Sequence, residues 1–112
     1  MRRAVRLPPE ATIATRKLTD YLLRWRPEDD KSAFLEQVGY KLETADRLMT
    51  DIREQLLPLE AEFFEQSEYG PKYRIRGTLT GPNGKMARVI SIWITEEATD
   101  QTKFVTLYPD KT

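Results

Sequence analysis

Apolar and polar positions alternate most sharply between Tyr73 and Trp93, on either side of Gly81-Pro82-Asn83-Gly84. Proline presets φ at the second turn position, asparagine tolerates the third, and the last glycine can take the left-handed conformation. The stretch therefore reads as a type I turn with a glycine bulge, Gly81 facing Lys85. Counting outward pairs Leu79 with Ala87, Gly77 with Val89, Ile75 with Ser91 and Tyr73 with Trp93 on one side of a hairpin. Thr80 with Met86, Thr78 with Arg88, Arg76 with Ile90 and Arg74 with Ile92 fall on the other. The first side is apolar and aromatic; the second carries three arginines among aliphatic residues and threonines.

Upstream the period changes from two to between three and four. Residues 1–14 read as extended, because Pro8-Pro9 keeps the residue before it out of the helical region. Thr15 is a candidate N-cap for a helix over Arg16–Arg24 with Leu18, Tyr21, Leu22 and Trp25 as its stripe, ended by Pro27. Glu28-Asp29-Asp30 is placed to cap a helix over Lys31–Val38, with Phe34, Leu35 and Val38 inward and Gly39 as its stop. A third helix runs from Leu42 or Glu43 to Leu57, burying Ala45, Leu48, Met49, Ile52 and Leu56 until Pro58 closes it. Glu60–Gln66 reads as a strand, Ser67–Lys72 as a loop, and Lys103–Tyr108 as the last strand. If Val105 and Leu107 join the core, then Phe104, Thr106 and Tyr108 join the arginine side.

Helices first and an antiparallel meander afterwards make the class α+β. About three N-terminal helices pack on one face of a three- to four-stranded antiparallel sheet, in a single domain over 1–112 that is mainly helical over 1–57 and sheet over 60–109. The Tyr73, Ile75, Leu79, Val89 and Trp93 side has the core composition, so the helices belong there and the arginine side stays open.

Composition narrows the chemistry. The chain has 112 residues, no cysteine and no histidine. Disulfides, thiolate metal sites, imidazole ligands and histidine-activated nucleophiles are thereby excluded, and no cofactor motif or phosphate loop is present. No apolar run suits a signal peptide or a membrane span, so the expected location is the cytoplasm. The net charge of zero hides a partition: residues 1–26 hold seven Arg/Lys against two Asp/Glu, residues 27–68 four against twelve, and residues 69–112 seven against four. Such local fields attract partners although the total vanishes.

The arginine side is the candidate site. Arg74, Arg76 and Arg88, with Thr78, Thr80, Thr106 and Tyr108, suit phosphates held by forked hydrogen bonds and a base held against an aromatic ring. The plain alternative is a solvated sheet face whose arginine stems cover aliphatic neighbours. Lys31 is a candidate phosphate or catalytic lysine, or simply the first exposed residue of a helix. Glu43, Asp46, Asp51 and Glu54 interleave with Arg47 and Arg53 at ion-pairing spacing, which argues against a metal site.

Lys17-Leu18-Thr19-Asp20-Tyr21-Leu22-Leu23, Asp30 to Leu35 running on to Gly39-Tyr40, Tyr73 to Gly84, Ile92-Trp93-Ile94-Thr95 and Thr102 to Lys111 resemble an uncharacterised bacterial family known only as a domain of unknown function. The resemblance implies a small protein encoded beside an antitoxin-like partner, with relatives among C-terminal domains of secreted toxins. It also implies the ribonuclease fold of barnase and the RelE-type mRNA interferases, with RNA on the open sheet face. The toxin-domain relatives carry His-Lys where this chain has Asp30-Lys31. On that reading Lys31, Arg74, Arg76 and Tyr108 are the catalytic candidates, and Lys17, Arg88, Thr78 and Thr106 the RNA-binding ones. Two classes stay open: a metal-independent ribonuclease toxin without a histidine, and a non-catalytic module binding nucleic acid or an adjacent-gene protein.

Overall fold

The computed structural model describes residues 4–23 and 31–111. Trp25, Arg24, Arg26, the Pro27 stop and the Glu28-Asp29-Asp30 cap lie outside the described residues, as do the side chains of Tyr21 and Lys31. Four strands form the meander: β2 (Ala61–Ser67), β3 (Gly70–Thr80), β4 (Met86–Thr95) and β5 (Thr102–Pro109), extended at one edge by the two-residue β1 (Ala4–Val5). All neighbours are antiparallel. Among the described residues three helical runs cover one face. They are α1 (Thr15–Lys17 continued by Leu18–Leu22), α2 (Lys31–Glu36) and α3 (Leu42–Thr44, Ala45–Asp51 and Ile52–Leu56 end to end).

Every β3–β4 pair counted from the turn is present, from Tyr73 with Trp93 to Thr80 with Met86. The turn closes as expected, the Gly81 N–H donating to Lys85 O at 2.9 Å and the Gly84 N–H to Gly81 O at 3.0 Å. Gly84 has φ +83°, which an L side chain resists. Asn83 does more than tolerate its position. Its Oδ1 accepts from the Lys85 N–H and its Nδ2 donates to Gln37 O, tying the turn to the end of α2.

Ile75, Leu79, Val89, Trp93 and Leu107 are fully buried under Leu18, Leu35, Leu48, Ile52 and Leu56, so the helices lie on the side chosen by composition. The Trp93 ring donates from Nε1 to Ser91 Oγ at 2.9 Å, and that hydroxyl donates to Ile75 O, leaving the indole buried with its polar atom satisfied. Both α1 and α3 end in a wide, five-residue turn, with the Leu23 N–H on Leu18 O and the Leu57 N–H on Ile52 O. Widening lets consecutive leucines face inward together: Leu22 and Leu23 beside Leu18, Leu56 and Leu57 beside Ile52.

Four sequence expectations are corrected. Thr15 is the first helical residue, and Ala14 holds the extended cap position. The helical turns of α2 stop at Glu36; the Gly39 N–H then bonds Glu36 O and the Tyr40 N–H bonds Leu35 O, a Schellman closure around Gly39 at φ +101°. Residues 70–72 belong to β3, because Ser67 pairs with Gly70 across a two-residue connection. In β5 a bulge inserts Val105, so Phe104 pairs with Trp93 while Thr106 pairs with Ile92. Phe104 is therefore core, edge-on to Trp93 at 5.2 Å, and Val105 is only half-buried. One extra residue lets Phe104 and Leu107, three apart, face the same way, which strict alternation forbids.

Gln55 fastens α3 to the sheet by a reciprocal pair, accepting from the Thr80 N–H at 2.7 Å and donating to Thr80 O at 3.2 Å. It occupies the stretch of β3 that β2 does not reach, supplying the partner that a strand edge lacks. Nearby, the buried Tyr40 hydroxyl donates to Asp51 Oδ2 at 2.6 Å, and Arg47 Nε donates to the same oxygen at 3.0 Å. Burial first, then the Asp51 hydrogen bond, raises the Tyr40 phenol well above its ordinary value of 10.0. A raised folded-state pKa contributes stability that is present below the unfolded value and lost as pH rises beyond it. Stability should therefore fall as pH rises through about 10, and Tyr40→Phe should flatten that alkaline limb in denaturant melts while costing about 1–3 kcal/mol at neutral pH. An alkaline limb unchanged in Tyr40→Phe would exclude this group as its source.

Candidate nucleic-acid interface

The uncovered face is built row by row from the register. Arg74, Ile92 and Thr106 form one row, Arg76, Ile90 and Tyr108 the next, and Thr78 and Arg88 the third. Ile90 and Ile92 are buried on this face, Ile90 between Arg76 and Tyr108 and Ile92 between Arg74 and Thr106. Six of the sequence candidates, Arg74, Arg76, Arg88, Thr78, Thr106 and Tyr108, thus share one face.

Each of the first two arginines lies beside a carboxylate. Arg74 Nη2 is 3.9 Å from Glu62 Oε2, and Arg76 Nη1 is 3.4 Å from both oxygens of Asp110. Asp110 is itself anchored by its N–H on Arg88 O at 2.9 Å. These contacts are long against the 2.7–2.9 Å of a strong charge-assisted bond. Arg74 Nε is buried without an acceptor. Lys72 lies 3.6 Å from Glu65 at the same face's margin.

Lys17 approaches the face from the far side of β5. The Thr12 N–H donates to Thr102 O and the Phe104 N–H to Thr12 O, so the chain entering α1 is pinned along the outer edge of β5. This leaves a groove of about 340 Å³ lined by Arg16, Lys17, Asp20, Val105 and Thr106. Two RNA-binding candidates, Lys17 and Thr106, meet there. Lys31 begins α2, which belongs to the helical layer on the other side of the sheet from Arg74 and Arg76.

Three residues of this face were not singled out from sequence: Glu62, Phe64 and Asp110. Phe64 is the extra residue of a bulge in β2 between Phe63, which faces Tyr73, and Glu65, which faces Lys72. The bulge turns Phe64 toward the arginine side, where the Arg74 guanidinium lies 5.6 Å from its ring centre. Phe63 points the other way, edge-on to Tyr73 at 6.1 Å. Asp110 follows the last strand and is held against β4 by its N–H bond to Arg88 O.

Among the described residues no group of three or more acidic side chains is placed to hold a metal ion, and no helix is long and apolar enough to cross a membrane. The fold and face define an α+β protein with one helix-covered and one open, arginine-bearing sheet surface. The chain belongs to the family described as a domain of unknown function, DUF6883, whose model matches residues 7–111. No curated protein and no solved structure matches it significantly.

Proposed function

We propose that the protein binds RNA across the open sheet face, with Arg74, Arg76 and Arg88 on the phosphate backbone and Thr78, Thr106 and Lys17 extending the contact toward the β5 edge. The observation that carries this reading is Arg74, whose Nη2 stands 3.9 Å from Glu62 and whose Nε is buried without an acceptor. A guanidinium held at that distance exchanges a weakly bonded carboxylate for a phosphate that accepts two N–H bonds at full strength.

A second reading rests on the same carboxylates. A metal-independent ribonuclease needs a base for the 2′-hydroxyl and a cation for the developing phosphorane charge, and Glu62 with Arg74 supplies one of each. Arg76 would share the charge, Tyr108 in the same row would serve the leaving oxygen, and Lys31 has no position in this scheme. In that form the protein acts in the cytoplasm as the toxin of a toxin–antitoxin pair, held by a small adjacent-gene protein.

One set of variants tests both. Arg74→Gln with Arg76→Gln should leave the protein folded and lower the melt by no more than about 1 kcal/mol, since Arg76 is exposed and Arg74 is half-buried. RNA affinity should fall, and the dependence of log K on log salt should lose roughly 0.7 units for each phosphate contact removed from a single strand. Glu62→Gln should keep binding and abolish any cleavage and growth arrest. A parent protein that binds no RNA, with the arginine variant altering only its grip on the neighbouring protein, would replace the RNA reading with an acidic protein partner.

A further inference from the structure

We infer that Phe64 is a base-stacking position and that the RNA taken by this face is single-stranded; this rests on the phosphate reading above. In a regular β2, Phe64 and Glu65 would fall on opposite faces. The bulge puts an additional residue opposite Lys72, and the residue it delivers to the cationic side is aromatic and more than a third exposed. Its ring stands beside the guanidinium of Arg74, the arginine with the longer carboxylate contact and an unpartnered Nε.

This juxtaposition suits one nucleotide at a time. A base laid on the Phe64 ring gains stacking that does not depend on its identity, while the Nη end of Arg74 reaches the adjoining phosphate. A duplex offers the phosphates but not the base faces, which are already stacked on their neighbours. Tyr108, two strands away from Arg74 and half-exposed, gives the face an aromatic residue toward its opposite margin. Aromatic rings flanking a row of arginines are the arrangement that tracks a flexible single strand.

The test is fluorescence anisotropy with an end-labelled single-stranded RNA of about twelve nucleotides and mixed sequence, against a duplex of the same sequence. The parent should bind the single strand more tightly at every salt concentration. Phe64→Leu should weaken that binding by about five- to a hundredfold while leaving the salt slope unchanged, because stacking releases no counterions. Phe64→Tyr should bind as the parent does, and thermal melts of both variants establish that the fold is intact. Equal affinity for strand and duplex, or a folded Phe64→Leu that binds like the parent, overturns the stacking inference and leaves the phosphate reading standing. A parent that binds neither RNA overturns both.

Discussion

Trp93→Ala should cost about 3–5 kcal/mol, the largest loss expected from any single side chain in this protein. Trp93 is fully buried, faces Tyr73 across β3 and Phe104 across β5, and lies beneath the helical layer. Truncation removes the transfer energy of the ring and leaves a cavity walled by two strands that cannot close on it. It also removes the Nε1 donor to Ser91 Oγ, whose own bond to Ile75 O is retained. For a domain whose total stability is about 5–15 kcal/mol, this is enough to populate the unfolded state. Urea melts read the loss directly. In a background with Trp25 replaced by phenylalanine, the fluorescence of the parent should resist acrylamide quenching, and strong quenching would place the ring on the open face and reverse the assignment of the two sides.

The β3–β4 hairpin was legible because two independent signals agree there. Turn chemistry at Gly81-Pro82-Asn83-Gly84 sets the register, and alternation then assigns every facing pair without further choice. The last strand lacked that agreement. Its pattern, Lys103-Phe104-Val105-Thr106-Leu107-Tyr108, alternates well enough to suggest one continuous face, while the structure spends Val105 on a bulge so that Phe104 and Leu107 both reach the core. Bulges have no side-chain signature except glycine, and neither bulge here uses one. The same blindness hid Phe64.

The arginines fall on one face as expected because they sit on the well-determined hairpin. Their carboxylates were missed because Glu62 lies on a strand whose register depends on a second bulge, and Asp110 lies beyond the end of the last strand. The difference matters chemically. Three arginines read from sequence form a bare cationic face, whereas Glu62 and Asp110 bring carboxylates beside two of the guanidinia and reduce its field. The acidic excess over residues 27–68 thus lies partly on the arginine face, through Glu62 and Glu65 beside Arg74 and Lys72.

The two glycines that bracket the turn should respond very differently to the same change. Gly84 has φ +83° and nothing within 4 Å of a built Cβ, so Gly84→Ala should cost about 1 kcal/mol, all of it backbone strain. A Cβ on Gly81 would stand 1.8 Å from Val38 O and 2.7 Å from Val38 C. That obstacle is backbone, held by the Schellman closure of α2 at Gly39, so neither side can yield by rotating a side chain. Relief requires the end of α2 to lift from the hairpin, which would also stretch the Asn83 bond to Gln37 O and uncover Leu35 and Val38. Gly81→Ala should therefore cost about 3 kcal/mol, at the upper end of what overpacking usually exacts. Paired chemical melts of the two variants measure the contrast. Equal losses would mean that the hairpin and α2 do not make the close backbone approach described here.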